Sequence, residues 1–241
     1  MPLPHQIRSY HDLEFRISPN YSEVFEWDSN TNLIRELARR VSSLAFDNVK
    51  DFPYLYFTSG ITDAINIIVP KKKTTILPLE YRYLNLFQTV TLKETDRAYM
   101  SYPFSGNGAF LPIPTDREVI LDCAYIFASN MSNVKTIPEN VSKVLFGLSK
   151  SHNLPDYRIG WILSKEKIPE FYTLQYDYNY AINGNIKELL TKILMYEPNF
   201  LYNKYKQSFS NLYQSCGVTE NDTNLFGIKD GIKVPWYILK S

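Results

Sequence analysis

The chain has 241 residues, 44% of them hydrophobic and 21% charged, which leaves room for a sizeable core and excludes a disordered or fibrous chain. Lys plus Arg number 26 against 25 Asp plus Glu, a net charge of +1, which sets aside nucleic acid or membrane binding through a general basic surface. Cys123 and Cys216 make no disulfide framework, no stretch approaches the roughly 20 apolar residues of a bilayer span, and no signal peptide opens the chain, so a soluble cytoplasmic protein is expected.

Residues 1–30 are polar, aromatic and irregular and read as an arm. Leu33, Ile34, Leu37, Ala38, Val41, Leu44 and Ala45 recur at three- and four-residue steps, which predicts an amphipathic helix over Asn32 to Phe46 with Asn30 or Thr31 near its cap. Its Arg35, Arg39 and Arg40 read as a solvated face. Tyr54 to Phe57 reads as a strand that runs through Thr58-Ser59-Gly60 into a helix over Ile61 to Ile68. Lysines 71 to 73 precede a strand at Thr75 to Pro78, a helix is expected over Tyr83 to Leu92, and a further strand over Arg97 to Ser101 leads into the loop Pro103 to Gly108. Val119 to Asp122, Val144 to Gly147 and Gly160 to Leu163 read as buried strands. Strands alternating with helices indicate an α/β protein with ligands at the carboxyl ends of its strands. Residues 31–165 are expected to form the large domain and 166–241 a reduced C-terminal subdomain. That subdomain holds helical periodicity over Asn185 to Tyr196, a break at Glu197-Pro198, a tyrosine-rich helix to about Cys216 and a strand within Ile232 to Leu239. Tyrosine is in excess, 19 against 3 tryptophans, which suits cores, interfaces or stacking sites without choosing among them.

The polar clusters fall at strand ends. Lys150 follows one strand and Arg158 lies eight residues on. A lysine near other cations or away from water becomes a nucleophile for carbonyl carbons, and an arginine fork holds phosphate. Asp122 closes another strand, and Thr58-Ser59-Gly60 precedes a helix whose first amides suit an anion. Taken singly, these are a loop lysine, a turn acid and a tight turn.

Together they resemble a family. Ser149, Lys150, Leu154, Pro155, Arg158, Gly160 and Trp161 match in register the lysine signature of the fold-type-I pyridoxal-phosphate enzymes, the class I/II aminotransferases. Asp122-Cys123-Ala124-Tyr125 is similar to that family's Asp-x-x-Tyr, and Thr58 to Ile65 to its phosphate turn, in the same chain order. The resemblance covers about residues 53 to 163. It implies a three-layer α/β/α fold with a mostly parallel sheet and pyridoxal 5'-phosphate held as a Schiff base on Lys150. The amides of Gly60, Ile61 and Thr62, with Ser149 and Arg158, would hold the phosphate. Asp122 would face the ring nitrogen and Tyr125 the phenolic oxygen, with Tyr81, or failing it Tyr83, stacked on the ring. It also implies a homodimer, no metal, and an amino donor and keto acceptor as substrates. Another reaction of the same cofactor (decarboxylation, racemisation or elimination) and a non-catalytic cofactor-binding relative stay open.

The chain departs from the pattern at four places. Ser105 stands where the family has an Asn that touches the phenolic oxygen, with Asn107 as a displaced candidate. Gly147 replaces a phosphate-binding serine. His152 replaces an aromatic and reads as packing. No arginine follows Arg158, so the substrate carboxylate falls to Lys233 or Lys240, or to Arg8 or Arg16 of the arm, or is bound otherwise or absent.

Overall fold

The computed structural model describes residues 27–132, 136–152, 154, 157–178, 180–182, 185–197 and 199–240. Most of the arm therefore lies outside the described residues. Helix α1 (Trp27–Ser43) starts before the expected cap. Its Ile34, Leu37, Ala38 and Val41 are buried while Leu33 faces out. Arg39 does more than solvate a face: its guanidinium donates to the carbonyls of Phe52 and Pro53, each at 2.7 Å, and ties α1 to the entrance of the first strand.

That strand, β1 (Tyr54–Thr58), runs into α2 (Ile61–Ile68), and β2 (Thr74–Thr75), β3 (Val90–Thr91), β4 (Arg97–Ser101), β5 (Glu118–Asp122) and β6 (Val141–Gly147) follow. After α3 (Leu148–Ser151), β7 (Gly160–Ser164) returns between β1 and β6. The seven strands lie in the order β1-β7-β6-β5-β4-β2-β3, with β7 antiparallel to both neighbours and every other pairing parallel. Consecutive strand residues serve opposite faces, so the sheet is buried on both sides. Phe57, Leu121, Phe146, Trp161 and Leu163 pack with α1 and with α5 (Asn185–Ile193), while Tyr56, Tyr99, Ile120, Leu145 and Ile162 pack with α2 and with α4 (Pro169–Tyr178). This is the expected three-layer α/β/α fold.

The helix expected over Tyr83 to Leu92 is instead a short 3-10 turn, Arg82–Leu86, followed by β3. Leu86 and Leu92 are exposed, so no single apolar stripe runs through the segment, and Thr89, Val90 and Thr91 favour an extended chain beside β2. Among elements the sequence reading passed over, α4 carries Pro169 at its start, a common helix-opening position. Beyond α6 (Phe200–Ser215), β8 (Phe226–Lys229) and β9 (Ile232–Pro235) form a hairpin, and Trp236–Lys240 is a 3-10 turn, so the expected strand stops at Pro235. The hairpin loop is Asp230-Gly231 with φ of 52° and 76°, the two positive values that a type I′ turn needs.

Candidate active site

The carboxyl ends of β1, β4, β5 and β6 open on one cavity. Its walls include all ten residues named from sequence: Gly60, Ile61 and Thr62 from the turn after β1; Tyr81; Ser105; Asp122 and Tyr125 after β5; Ser149 and Lys150 on α3; and Arg158 before β7. Ser101, Ala124 and Gly147 complete the lining.

One end is an anion cradle. Gly60 takes a left-handed backbone, φ 85°, as the cap of α2, and the Ser59 amide donates to Asp63 Oδ2 at 2.9 Å. Tyr180, from the α4–α5 connection, donates to the same carboxylate at 3.2 Å. Arg158, itself at φ 49°, donates through Nη2 to the Ser59 carbonyl at 2.7 Å, which lays the guanidinium against the turn. Gly60 suits the backbone angle, and a Cβ there would stand 3.1 Å from Arg158 Nη2 and press on the guanidinium. First-turn amides plus a guanidinium make a site for a doubly charged oxyanion.

Asp122 is 4% exposed and accepts the Tyr99 hydroxyl at 2.5 Å and the Ala124 amide at 2.9 Å. Burial pushes its carboxyl up to about 7 against those two bonds, helped by the charge of Glu80. Such an acid answers to a nearby cation by giving up its proton. Tyr81 stands at the cavity, while Tyr83 lies behind it, its ring 5.9 Å from that of Tyr81 and its hydroxyl on Asn66 Oδ1 at 2.6 Å.

At the other end the wall is built from distant parts of the chain. Ser105 gives its hydroxyl proton to Glu80 Oε1 at 2.6 Å. Asn107, the displaced candidate, is outside the lining and accepts the Ala109 amide. Lys233 on β9 is also outside the lining and backs this wall: Nζ donates to the Ser105 carbonyl at 2.8 Å and to Tyr125 Oη at 3.4 Å, and sits 3.9 Å from the Phe226 ring centroid. Burial lowers its pKa to about 8, with the charge of Lys150 as the second cause. Arg8 and Arg16 lie outside the described residues, as does the side chain of Lys240. His152 is buried beside Ser151 and the edge of the Phe127 ring, a packing position. Glu80, Ser101 and Tyr99 were not anticipated; a lone acid between Leu79 and Tyr81 carries no spacing signal.

The sheet order, the reversed β7 and a cavity at the carboxyl strand ends define a protein with the fold of the pyridoxal-phosphate-dependent aminotransferase-like enzymes, as solved structures show. A histidinol-phosphate aminotransferase from Clostridium acetobutylicum superposes with a TM-score of 0.60 at 14% identity over 93% of this chain and 77% of that one. An L-threonine-O-3-phosphate decarboxylase from Porphyromonas gingivalis gives 0.57 at 16% identity over 89% and 79%. A C-S lyase from Staphylococcus hominis, solved with pyridoxal phosphate, gives 0.57 at 8% identity over 92% and 68%. No family model matches the sequence, and no curated protein does. Among the described residues no helix is long and apolar enough to cross a membrane.

Proposed function

We propose that the protein binds pyridoxal 5'-phosphate through Lys150 and works as an aminotransferase on an amino acid or a related amine. The observation that carries this reading is the convergence of four separate segments on one cavity with the donor set that cofactor requires: an anion cradle, a lysine, a buried acid and a phenol. The residues fit the group. Gly60, Ile61, Thr62, Ser149 and Arg158 would hold its phosphate, Asp122 its ring nitrogen, Tyr125 its phenolic oxygen and Tyr81 its ring face.

When bound, the cofactor supplies an electron sink for the carbanion formed at the substrate α-carbon. Lys150 Nζ would hold the carbonyl carbon of the cofactor, and its free amine would take and return the α-proton. Asp122, in its carboxylate form, would be the counter-charge to the ring nitrogen. Lys233, held beside the cavity on the Ser105 carbonyl and Tyr125 Oη, is the group we assign to the substrate carboxylate. It takes the part for which the sequence left several candidates.

The test is spectroscopic. Reconstituted protein is expected to show the visible band of lysine-bound pyridoxal phosphate, lost in Lys150→Ala and converted to the amine form by an amino acid donor. Failure to retain the cofactor after reconstitution overturns the reading, and retention without any response to amino acids leaves a cofactor-binding relative. A second reading, decarboxylation or elimination, draws support from likeness to a decarboxylase and a lyase at the same level as to an aminotransferase. Product analysis with amino acids and keto acids decides between them. We also propose a homodimer. Leu79 is 74% exposed, Leu86 73% and Leu92 66%, on the segment that carries Tyr81, which is apolar area for a second subunit to cover.

A further inference from the structure

One buried carboxylate near the cavity has no part in the chemistry above. Glu80 is 4% exposed, and its neighbour Leu79 takes a left-handed backbone with φ 71°. That conformation costs a non-glycine residue roughly 1–2 kcal/mol, so the surrounding bonds must hold it. The reversal sends Leu79 out to solvent and Glu80 inward, where four donors meet the carboxylate. Tyr81 N at 2.9 Å, Ser101 Oγ at 2.5 Å and Ser105 Oγ at 2.6 Å all reach Oε1, and Ser101 N reaches Oε2 at 3.0 Å.

A hydroxyl has one proton, and Ser101 and Ser105 both give theirs to Glu80. The Ser101 oxygen then accepts the Ser105 amide at 2.6 Å, closing a rigid turn whose Ser105 carbonyl receives Lys233 Nζ. Toward the cavity the Ser105 hydroxyl can only accept. Lys233 meanwhile stands on a hairpin whose tip is open: Ile232 is 68% exposed, and a Cβ on Gly231 would touch nothing within 4 Å. The charges acting on its ammonium are Lys150, which disfavours the cation, and Glu80, which favours it. Tyr125 Oη and the Ser105 carbonyl accept its protons.

We propose that Glu80 is a positioning residue: by taking both serine protons it fixes the turn whose Ser105 carbonyl receives Lys233 Nζ. The Ser105 hydroxyl on this wall is then left as an acceptor, with the Lys233 ammonium held beside it on the Ser105 carbonyl and Tyr125 Oη. The use of that ammonium for a carboxylate rests on the function proposed above, whereas its placement by Glu80 does not.

The experiment is competitive acylation of the full chain, free of cofactor, with trace succinimidyl acetate across pH, reading Lys233 by peptide mass spectrometry. In the wild type Lys233 should become reactive near pH 8. In Glu80→Gln it should be labelled at pH 7 about threefold to tenfold faster, and in Ser105→Ala about twofold faster, with Glu80→Asp restoring the wild-type rate in part. A merely structural Glu80 would lower the melting temperature and leave the labelling profile of Lys233 in place. Unchanged profiles in both folded variants overturn the proposal, and if Glu80→Gln does not fold, Ser105→Ala decides alone. Acetate, as a bare carboxylate probe, should protect Lys233 in the wild type and require several times the concentration in Glu80→Gln. If acetate protects neither protein while the labelling still shifts, the carboxylate assignment fails and the positioning role stands.

Discussion

The two ends of the cavity are built in different ways. The anion cradle is built around consecutive residues: the turn after β1 presents Gly60, Ile61 and Thr62 in one stroke, and Arg158, 99 positions on, closes it with one bond to the Ser59 carbonyl. The rim is assembled from four segments. Glu80 bonds residues 21 and 25 positions away, and Lys233 bonds a carbonyl 128 positions away. A cradle of local backbone is set once its turn forms, whereas the rim depends on the C-terminal hairpin docking onto a finished sheet. Cofactor retention and substrate recognition should therefore separate under mutation.

The strongest way to break that separation is at the cradle. Arg158→Leu removes a charge-assisted contact to phosphate, a class of bond contributing about 1.5–3 kcal/mol, so cofactor affinity should fall about tenfold to a hundredfold in an absorbance titration. A drop of equal size in Lys233→Met would erase the distinction between the ends. Gly60→Ala should weaken cofactor binding about tenfold, because a side chain at φ 85° costs roughly 1–2 kcal/mol and its Cβ crowds Arg158.

The cradle, Asp122 and Lys150 are legible in the sequence because their chemistry sits in contiguous runs at strand ends, residues 58–62, 122–125 and 149–161. The rim was legible only in outline. Lys233 was one of four cations weighed for a carboxylate, and nothing in its neighbours distinguished it; what selects it is the Asp230-Gly231 turn, a hairpin signal present in the sequence and passed over. Glu80 and Ser101 had no signal at all, since burial of a lone acid follows from the backbone reversal at Leu79, where leucine is a poor guide to a positive φ. The misread helix over Tyr83 to Leu92 has the same origin. Apolar residues there suggested a stripe, but their partners lie on other strands, and pairing of Val90 with Thr74 prevailed over local periodicity.

At the rim, Lys233→Met should raise KM for an amino acid donor about tenfold with kcat little changed, the mark of binding shared by ground and transition states. The wild-type KM should itself depend on pH. Lys233 has a pKa lowered to about 8, so the ammonium proposed to meet a carboxylate is present below that value and is lost above it. KM should climb from about pH 8 upward in the wild type, and the corresponding limb should be absent in Lys233→Met. A climb in both proteins would assign the limb to another group and remove the rim from carboxylate recognition.

The smallest effect concerns Asp122, which lies between the two ends, and it is expected to have opposite signs in the two forms of the protein. In the cofactor-free chain its carboxyl is raised from 3.8 to about 7 by burial, so the folded state holds the proton more tightly than the unfolded one. The stability this contributes is fully present below about pH 4 and is lost as pH rises through 7. Asparagine never ionises, and the Tyr99 hydroxyl can turn to accept from its amide. Asp122→Asn should therefore melt a few degrees above the wild type at pH 8, with the gap closing toward pH 5. With cofactor bound the order should reverse, because the wild type then offers a carboxylate to the ring nitrogen and the variant offers none. A variant less stable than the wild type at pH 8 without cofactor would show that the two hydrogen bonds to Asp122 outweigh its desolvation. The acid would then stand ready as a carboxylate before any cation arrives.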